Sequence, residues 1–216
     1  MKSMHAIFAI LLVFGAVSAL TSCKLDANAM RKDTLTKISG PERIFFLENI
    51  ASSAIDSDFS AQAREAARFG YVQVIHYLQT RGADLNQTDE AGWSPILIAA
   101  ARGDLPLIRF LVEIAGSDVR AKNNSKTTTL MMAAGAGSLE VSRYLLDRGA
   151  NVDAKTVHGL TALMHAASSG NLDLAKLLVE RGADTQVIDS FGNNALAYTV
   201  APAMKEYLVS LGLKQS

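Results

Sequence analysis

The sequence predicts an all-α solenoid, in which short helix–turn–helix units stack side by side. Two sets of glycines, one after each helix of a unit, recur with a period of about 33 residues. A pair of alanines, small enough to let helix backbones approach, occupies the same place in each unit. The first glycine set is Gly70, Gly103, Gly137 and Gly170, the second is Gly82, Gly116, Gly149 and Gly182, and the alanine pairs begin at Ala66, Ala99, Ala133 and Ala166.

The most regular unit lies within residues 153–185. It contains two apolar-periodic segments, 161–169 and 172–181, and each is followed by a glycine. Glycine readily adopts the positive φ that is common just past a helix end, so this pattern predicts a helix, a tight turn, a second helix and another turn. A single unit cannot bury its apolar face alone, and stacking has to supply the core.

Two motifs in these units resemble those of a known family. Residues 94–99, 128–133 and 161–166 read Ser-Pro-Ile-Leu-Ile-Ala, Thr-Thr-Leu-Met-Met-Ala and Thr-Ala-Leu-Met-His-Ala. Residues 82–86 and 149–153 read Gly-Ala-Asp-Leu-Asn and Gly-Ala-Asn-Val-Asp. They are similar to the Thr-Pro-Leu-His-x-Ala and Gly-Ala-Asp-x-Asn signatures of the ankyrin repeat family. The resemblance implies an ankyrin-repeat solenoid with hairpin loops, called fingers below, and with N- and C-terminal capping helices.

The N-terminal segment predicts export and a lipid anchor. Lys2 precedes an apolar run over residues 6–20, which has the length of a secretory signal and is short for a bilayer span of about 20 residues. It ends in Leu-Thr-Ser-Cys23, which resembles a bacterial lipobox. That resemblance implies cleavage before Cys23 and a diacylglycerol on its thiol, and Lys24 favours the periplasmic leaflet of the outer membrane. Ordinary cleavage after Ala19, leaving a free thiol, is the alternative.

These features predict four segments in order. Residues 1–22 form the signal peptide, 23–40 the lipidated cysteine and a flexible tether, and 41–57 an N-terminal capping helix. Residues 58–216 form about four repeats and a C-terminal cap.

Local departures from the repeat predict local irregularities. Asp58 is expected to cap the first helix of a degenerate first repeat. One extra residue near 114–116 should distort the end of a second helix, and finger 123–127 should differ from the others because it lacks a glycine. The last unit has a shortened turn between its helices.

Composition and motifs disfavour several function classes. Lys plus Arg and Asp plus Glu each number 21, so no basic excess gathers nucleic acid. One cysteine permits neither an internal disulfide nor a multi-cysteine metal site, and no phosphate loop or nucleophile elbow is present. We therefore predict a protein that is not an enzyme, with no cofactor, metal or small-molecule substrate. A hydrolase with an unfamiliar site and a purely structural envelope protein remain as alternatives.

The resemblance also implies where a partner would bind. Members of the ankyrin family bind partners through their fingertips and the exposed face of the first helices. Trp93 has an alternative role, which is to staple neighbouring fingers. The matching positions are Trp93, Ile98, Arg102, Lys122, Asn124, Lys126, Met132, Lys155, His158, Leu160, His165, Phe191 and Tyr198.

The sequence thus predicts a protein-binding module, and two kinds of partner fit a periplasmic lipoprotein. In the first hypothesis the chain is an immunity protein that neutralises a toxic effector enzyme, for example a phospholipase. In the second it is a scaffold or stabiliser of a resident periplasmic enzyme such as catalase.

Overall fold

A computed structural model describes residues 40–41 and 58–214. Between residues 58 and 214 the chain forms α-helices and one 3-10 turn, with no strand, which confirms the all-α prediction. The elements in chain order are α1 (Phe59–Phe69), α2 (Val72–Thr80), α3 (Pro95–Arg102), α4 (Leu105–Glu113), α5 (Thr129–Gly135), α6 (Leu139–Asp147), α7 (Ala162–Ser169), α8 (Leu172–Glu180), the 3-10 helix η1 (Ala195–Tyr198) and α9 (Pro202–Ser210).

Three predicted segments fall outside the described residues. They are the signal peptide, the tether with Cys23, of which only residue 40 is described, and the N-terminal capping helix, of which only residue 41 is described. Within the part of the chain that the structure covers, no helix combines the length and the apolar character needed to cross a membrane.

The first compact unit ends at Asp84 and contains α1 and α2, which pack against each other. Asp58 caps α1 as predicted, because its carboxylate accepts the backbone N–H groups of Ser60 at 2.9 Å and Ala61 at 3.1 Å. Helix α1 ends at Gly70, which has a φ of 76°. The alanines that α1 buries let the two helices approach closely.

The second compact unit begins at Leu85 and contains three helix pairs and a shortened last unit. The first helices α3, α5 and α7 and the turn η1 contact their neighbours in sequence, and so do the second helices α4, α6, α8 and α9. Ala133 and Ala166 on the first helices, and Leu111, Leu145 and Leu178 on the second, are fully buried. Burial of apolar area at about 25 cal/mol per Å² is the main force that holds such a stack together.

The extra residue near position 115 distorts the end of α4, as predicted. In the regular repeats, the backbone N–H of Ala150 bonds to the carbonyl of Leu145, five residues earlier, and Ala183 bonds to Leu178 in the same way. After α4, the N–H of Ser117 bonds to the carbonyl of Leu111, six residues earlier, at 2.9 Å. The additional residue is taken up where Ile114 projects into solvent with 63% of its surface exposed.

Ion pairs connect the outer second helices. Arg148 on the loop after α6 lies 2.9 Å from Glu113 of α4, and Arg181 after α8 lies 2.8 Å from Asp147 of α6. Tyr144 also donates to Glu113, at 3.1 Å. Partly exposed pairs of this kind contribute little to stability individually.

Candidate protein-binding surface

Four fingers lie in the second unit, each just before the first helix or turn of a repeat: finger 1 (87–93), finger 2 (122–127), finger 3 (155–160) and finger 4 (187–193). Fingers 1 and 4 are closed by an aspartate at the base. The Oδ1 atom of Asp89 accepts the N–H of Trp93 at 2.8 Å, and that of Asp189 accepts the N–H of Asn193 at 2.9 Å. In finger 3, the hydroxyl of Thr156 accepts the N–H of Leu160 at 3.1 Å. The side chain at the base therefore fixes each turn.

Finger 2 forms the same turn without a glycine. It still differs locally from the other fingers, as predicted, because Lys126 occupies the glycine position and Lys122 and Thr128 form an isolated antiparallel bridge. Asn123 replaces the aspartate and accepts the N–H of Thr127 at 2.9 Å, and the N–H of Lys126 bonds to the carbonyl of Asn123 at 2.9 Å. Lys126 has a φ of 60°, at the place where the other fingers have glycine. A residue with a Cβ atom costs roughly 1–2 kcal/mol in this conformation, and the base hydrogen bonds outweigh that cost.

Hydrogen bonds join neighbouring fingertips along the row. Asn124 connects fingers 2 and 1, because its N–H bonds to the carbonyl of Ala91 at 3.2 Å and its side-chain amide to that of Glu90 at 2.8 Å. The N–H of Val157 bonds to the carbonyl of Ser125 at 3.0 Å. The N–H of Ser190 bonds to that of His158 at 2.9 Å. These links hold the four fingertips as one continuous ridge.

Exposed side chains, most of them apolar, lie on the linked fingers 3 and 4. Val157, Ile188 and Phe191 are 52%, 60% and 72% exposed, and the rings of Phe191 and His158 lie 5.9 Å apart. We call these four residues the apolar patch. Sequence reasoning selected Phe191 and His158 and missed Val157 and Ile188. The missed signal was the presence of large apolar residues in turns that the repeat does not require to be apolar.

Three exposed lysines lie beside this patch, on fingers 2 and 3. Lys122, Lys126 and Lys155 form no ion pair within the described residues, and we call them the lysine row. The acid of fingers 2–4 is Asp189, which is only 6% exposed. Burial raises the pKa of Asp189, but hydrogen bonds from Tyr198, Asn193 and Phe191 outweigh it and lower the pKa overall, so this side chain stays an anion.

Tyr198 braces finger 4. Its hydroxyl donates a hydrogen bond to Asp189, and its side chain is half-buried. Burial and the neighbouring carboxylate of Asp189 raise the pKa of this phenol, so Tyr198 keeps its proton and remains a donor. From its position in η1, Tyr198 therefore stabilises the conformation of finger 4 and, through it, the candidate binding surface that this finger carries.

Ile98 was wrongly predicted to face a partner. It is only 6% exposed, and every residue of α3 from Pro95 to Ala100 is buried. The physical reason is that α3 is apolar on all sides and packs against both α4 and α5, so it has little free face.

His165 is more a packing residue than a surface group. Its ring lies against α5, since a Cβ atom placed on Gly135 would be 3.6 Å from Nδ1, and its Nε2 atom is buried without a hydrogen-bond partner in the described residues. Burial lowers the pKa of His165 below its ordinary value, because the charged imidazolium would lose its hydration.

The lowered pKa of His165 predicts that the folded chain is less stable at acidic pH. Near pH 6.5 the unfolded chain takes up a proton on His165 that the native chain refuses, so the free energy of unfolding should fall as the pH is lowered from about 7 to about 5. His165→Gln removes this contribution, and its unfolding free energy should fall less over the same range. Urea unfolding of both chains at the two pH values tests this, and equal losses would contradict it.

The other predicted residues divide by exposure. Asn124 is exposed, although its side-chain amide is engaged with finger 1. Met132, Trp93 and Leu160 are half-buried, the last two directly after the finger glycines. The exposed residues of the predicted set are Arg102, Lys122, Asn124, Lys126, Lys155, His158 and Phe191.

Neither a metal centre nor a catalytic cluster stands out at the fingers. Across the described residues, no group of three or more His, Cys, Asp or Glu side chains is arranged to hold a metal ion. The fingertip ridge is a rigid surface that combines apolar side chains with ammonium groups.

Comparisons with known proteins agree with this architecture. The family described as ankyrin repeats (3 copies) matches residues 64–156, 99–189 and 153–213. Alpha-latroinsectotoxin-Lt1a of Latrodectus tredecimguttatus is 29% identical over 119 residues, which are 52% of this chain and 8% of that protein. A putative ankyrin repeat-containing protein of Treponema pallidum (strain Nichols) is 34% identical over 113 residues, 48% of this chain and 38% of that protein.

A third relative is human protein phosphatase 1 regulatory subunit 27, which is 32% identical over 82 residues, 38% of this chain and 53% of that protein. The chain therefore spans 53% or less of the length of these relatives. The helix pairs, the linked fingers and the three matched windows lead to one conclusion: the chain belongs to the ankyrin repeat family, whose members are typically non-catalytic modules for protein–protein interaction.

Proposed function

We propose that this chain is a lipid-anchored, periplasm-facing protein that captures a toxic enzyme through its fingertip ridge and neutralises it. The observation that carries the binding surface is the apolar patch, above all Phe191 with 72% of its surface exposed. Exposed aromatic side chains with a polar surround are the usual anchors of protein interfaces.

The linked fingertips support binding as well. Because Asn124, Val157 and Ser190 connect each finger to its neighbour, little conformational freedom remains to be lost when a partner docks. A preformed ridge can therefore use most of its contact energy for affinity.

Neutralisation needs no chemistry from this chain. A rigid module that covers the active site of a partner, or the surface it uses to reach its substrate, inhibits by occlusion alone. A phospholipase is a suitable target, since an anchored inhibitor would wait at the membrane that this enzyme attacks. The anchor itself rests on the apolar run and the Leu-Thr-Ser-Cys23 sequence.

A capture experiment tests the proposal. A soluble form of the chain, residues 24–216, which omits Cys23, is immobilised and exposed to periplasmic extract and to candidate effector enzymes, beside Phe191→Ala and the control Val209→Ala. Val209 is 55% exposed and lies on α9, outside the four fingers. We expect a partner whose affinity falls at least about tenfold with Phe191→Ala and stays unchanged with Val209→Ala.

The enzymatic activity of the purified partner then distinguishes the possible roles of this chain. Loss of its enzymatic activity on binding supports neutralisation, and cells lacking the chain should be sensitive to that enzyme. Unchanged or prolonged activity would instead make the chain a scaffold or stabiliser of a resident enzyme. If the wild-type chain and Phe191→Ala retain the partner equally, the fingertip ridge is not the binding surface.

Labelling cells with a radioactive fatty acid tests the lipid anchor separately. The substitution Cys23→Ser should abolish incorporation of the label.

A further inference from the structure

We propose that the captured partner presents an acidic surface with an apolar side chain at its centre. In this arrangement the acidic groups face the lysine row, and the apolar side chain sits on the apolar patch. The inference rests on the proposed function and specifies the chemistry of its partner.

Charge along the ridge is unevenly distributed. The whole chain has equal numbers of acidic and basic residues, yet the exposed charges of fingers 2–4 are Lys122, Lys126 and Lys155. Finger 1 has the opposite sign, with Asp89 and Glu90. A partner with an acidic surface is therefore attracted at fingers 2 and 3 and repelled at finger 1. This difference determines where the partner binds along the ridge.

Acids near the finger bases are hydrogen-bonded to the backbone and not paired with the lysine row. Asp153 uses its Oδ1 atom to accept the N–H of Asp184 at 2.8 Å, and Asp184 accepts the N–H of Gln186 at 2.9 Å. Neither forms an ion pair with a lysine of the row within the described residues. The ammonium groups thus remain available to an acidic partner.

The backbone at Lys126 gives a separate reason to regard this charge as functional. Lys126 has a φ of 60°, where a glycine would be unstrained, and the corresponding residues Gly92, Gly159 and Gly192 are glycines. Backbone strain of this kind is concentrated at binding and catalytic sites. The chain holds a cation at the tip of finger 2 in a conformation that disfavours it.

The lysine row and the apolar patch lie on neighbouring fingers. The hydrogen bond from Val157 to Ser125 places finger 3 beside the tip that carries Lys126, and the bond from Ser190 to His158 places finger 4 beside finger 3. An apolar side chain buried against Phe191 would exclude water from the neighbouring ammonium groups. Charge pairs formed there become stronger, because water screens them less.

A protein partner fits these observations better than a polyanion. Strong binding to nucleic acid usually relies on many phosphate contacts from an extended basic surface, and this row has three lysines in a chain without net charge. The apolar patch has no counterpart on a phosphate backbone. Anionic lipid is a second source of negative charge and is included in the test.

The probe is a synthetic peptide of about twelve residues in which aspartates and glutamates flank a single leucine. One control peptide has lysine in place of the acids, and another has serine in place of the leucine. Binding to the soluble chain, residues 24–216, is measured by fluorescence anisotropy in about 20 mM and about 300 mM NaCl. We expect the acidic, leucine-containing peptide to bind with a Kd below about 1 mM and the controls to bind at least about tenfold more weakly.

Variants of the chain locate the contact. The double reversal Lys126→Glu, Lys155→Glu should weaken binding about tenfold or more at low salt and far less at high salt. Phe191→Ala should weaken it about tenfold at both salt concentrations. The matched control Arg143→Glu, Lys176→Glu alters exposed residues of α6 and α8, changes the net charge equally, and should leave the affinity unchanged.

Several results would overturn the inference. Equal binding of the acidic and basic peptides, no effect of the lysine reversal, or no binding at about 1 mM peptide would each do so. Retention on phosphatidylglycerol vesicles that depends on the lysine row, without peptide binding, would assign the surface to lipid. If the peptide binds but no partner is captured, the inferred surface chemistry is supported and the proposed function is not. If a partner is captured and the lysine reversal does not affect its binding, this inference is contradicted and the proposed function is not.

Discussion

Replacing Gly92 by alanine is expected to lower the free energy of unfolding by about 3 kcal/mol, through two effects that act at the same atom. Gly92 has a φ of 84°, which costs a residue with a side chain roughly 1–2 kcal/mol. A Cβ atom there would also lie 2.6 Å from the backbone nitrogen of Asn124, too close for unbonded atoms. The hydrogen bond from that nitrogen to Ala91, 3.2 Å long, would have to break.

Gly192→Ala is the matched control. Gly192 occupies the same place in finger 4 and has nearly the same φ, 83°, but no atom lies within 4 Å of its hypothetical Cβ. Its substitution should cost only about 1 kcal/mol, the conformational part alone. Urea unfolding followed by the fluorescence of Trp93, the one tryptophan of the sequence, measures both variants in the second unit. Equal losses would show that the approach of fingers 1 and 2 does not contribute to stability.

Leu145→Ala is expected to lower the free energy of unfolding by about 3–5 kcal/mol. Leu145 is fully buried in α6, and this helix contacts α4, α5 and α8. Truncation removes the transfer energy of the side chain and leaves a cavity that three helices would have to move to fill. Because each repeat of a solenoid is stabilised by its immediate neighbours, the loss should be felt by the repeats on both sides.

The adjacent Leu146 provides the control for this substitution. It is half-buried, and Leu146→Ala changes the same number of atoms and the same helix propensity in the same helix. We expect its cost to be at most about half that of Leu145→Ala. Similar costs for the two leucines would contradict the packing of α6 described above.

Helix ends and turns were predictable because their chemistry is local. Gly70, Gly103 and Gly170 each follow a first helix and take a φ of 76°, 68° and 72°. The cap at Asp58 and the irregular end of α4 also depend on residues within one or two turns of the chain. For such features the residues that decide the conformation are neighbours in sequence.

The candidate site was predicted less well than the fold. The sequence predicted the fingers as the binding region and selected Phe191 and His158 there, but it wrongly expected Ile98 to be exposed. A repeat motif states which positions are apolar or variable. It does not state how much of a variable position is covered by the next repeat, since that depends on helices about 33 residues away.

By itself, the sequence determined the family, the period, the helix pairs and the turns, since glycine conformations, helix caps and apolar spacing act over a few residues. Only the tertiary structure decided which of these residues face solvent. It buried Ile98 between helices, joined Tyr198 to Asp189, and left Val157, Ile188 and Phe191 exposed on fingers linked to those of the lysine row. The physical reason is that exposure and proximity are set by contacts between repeats, which the stacking of the helices creates and no single repeat contains.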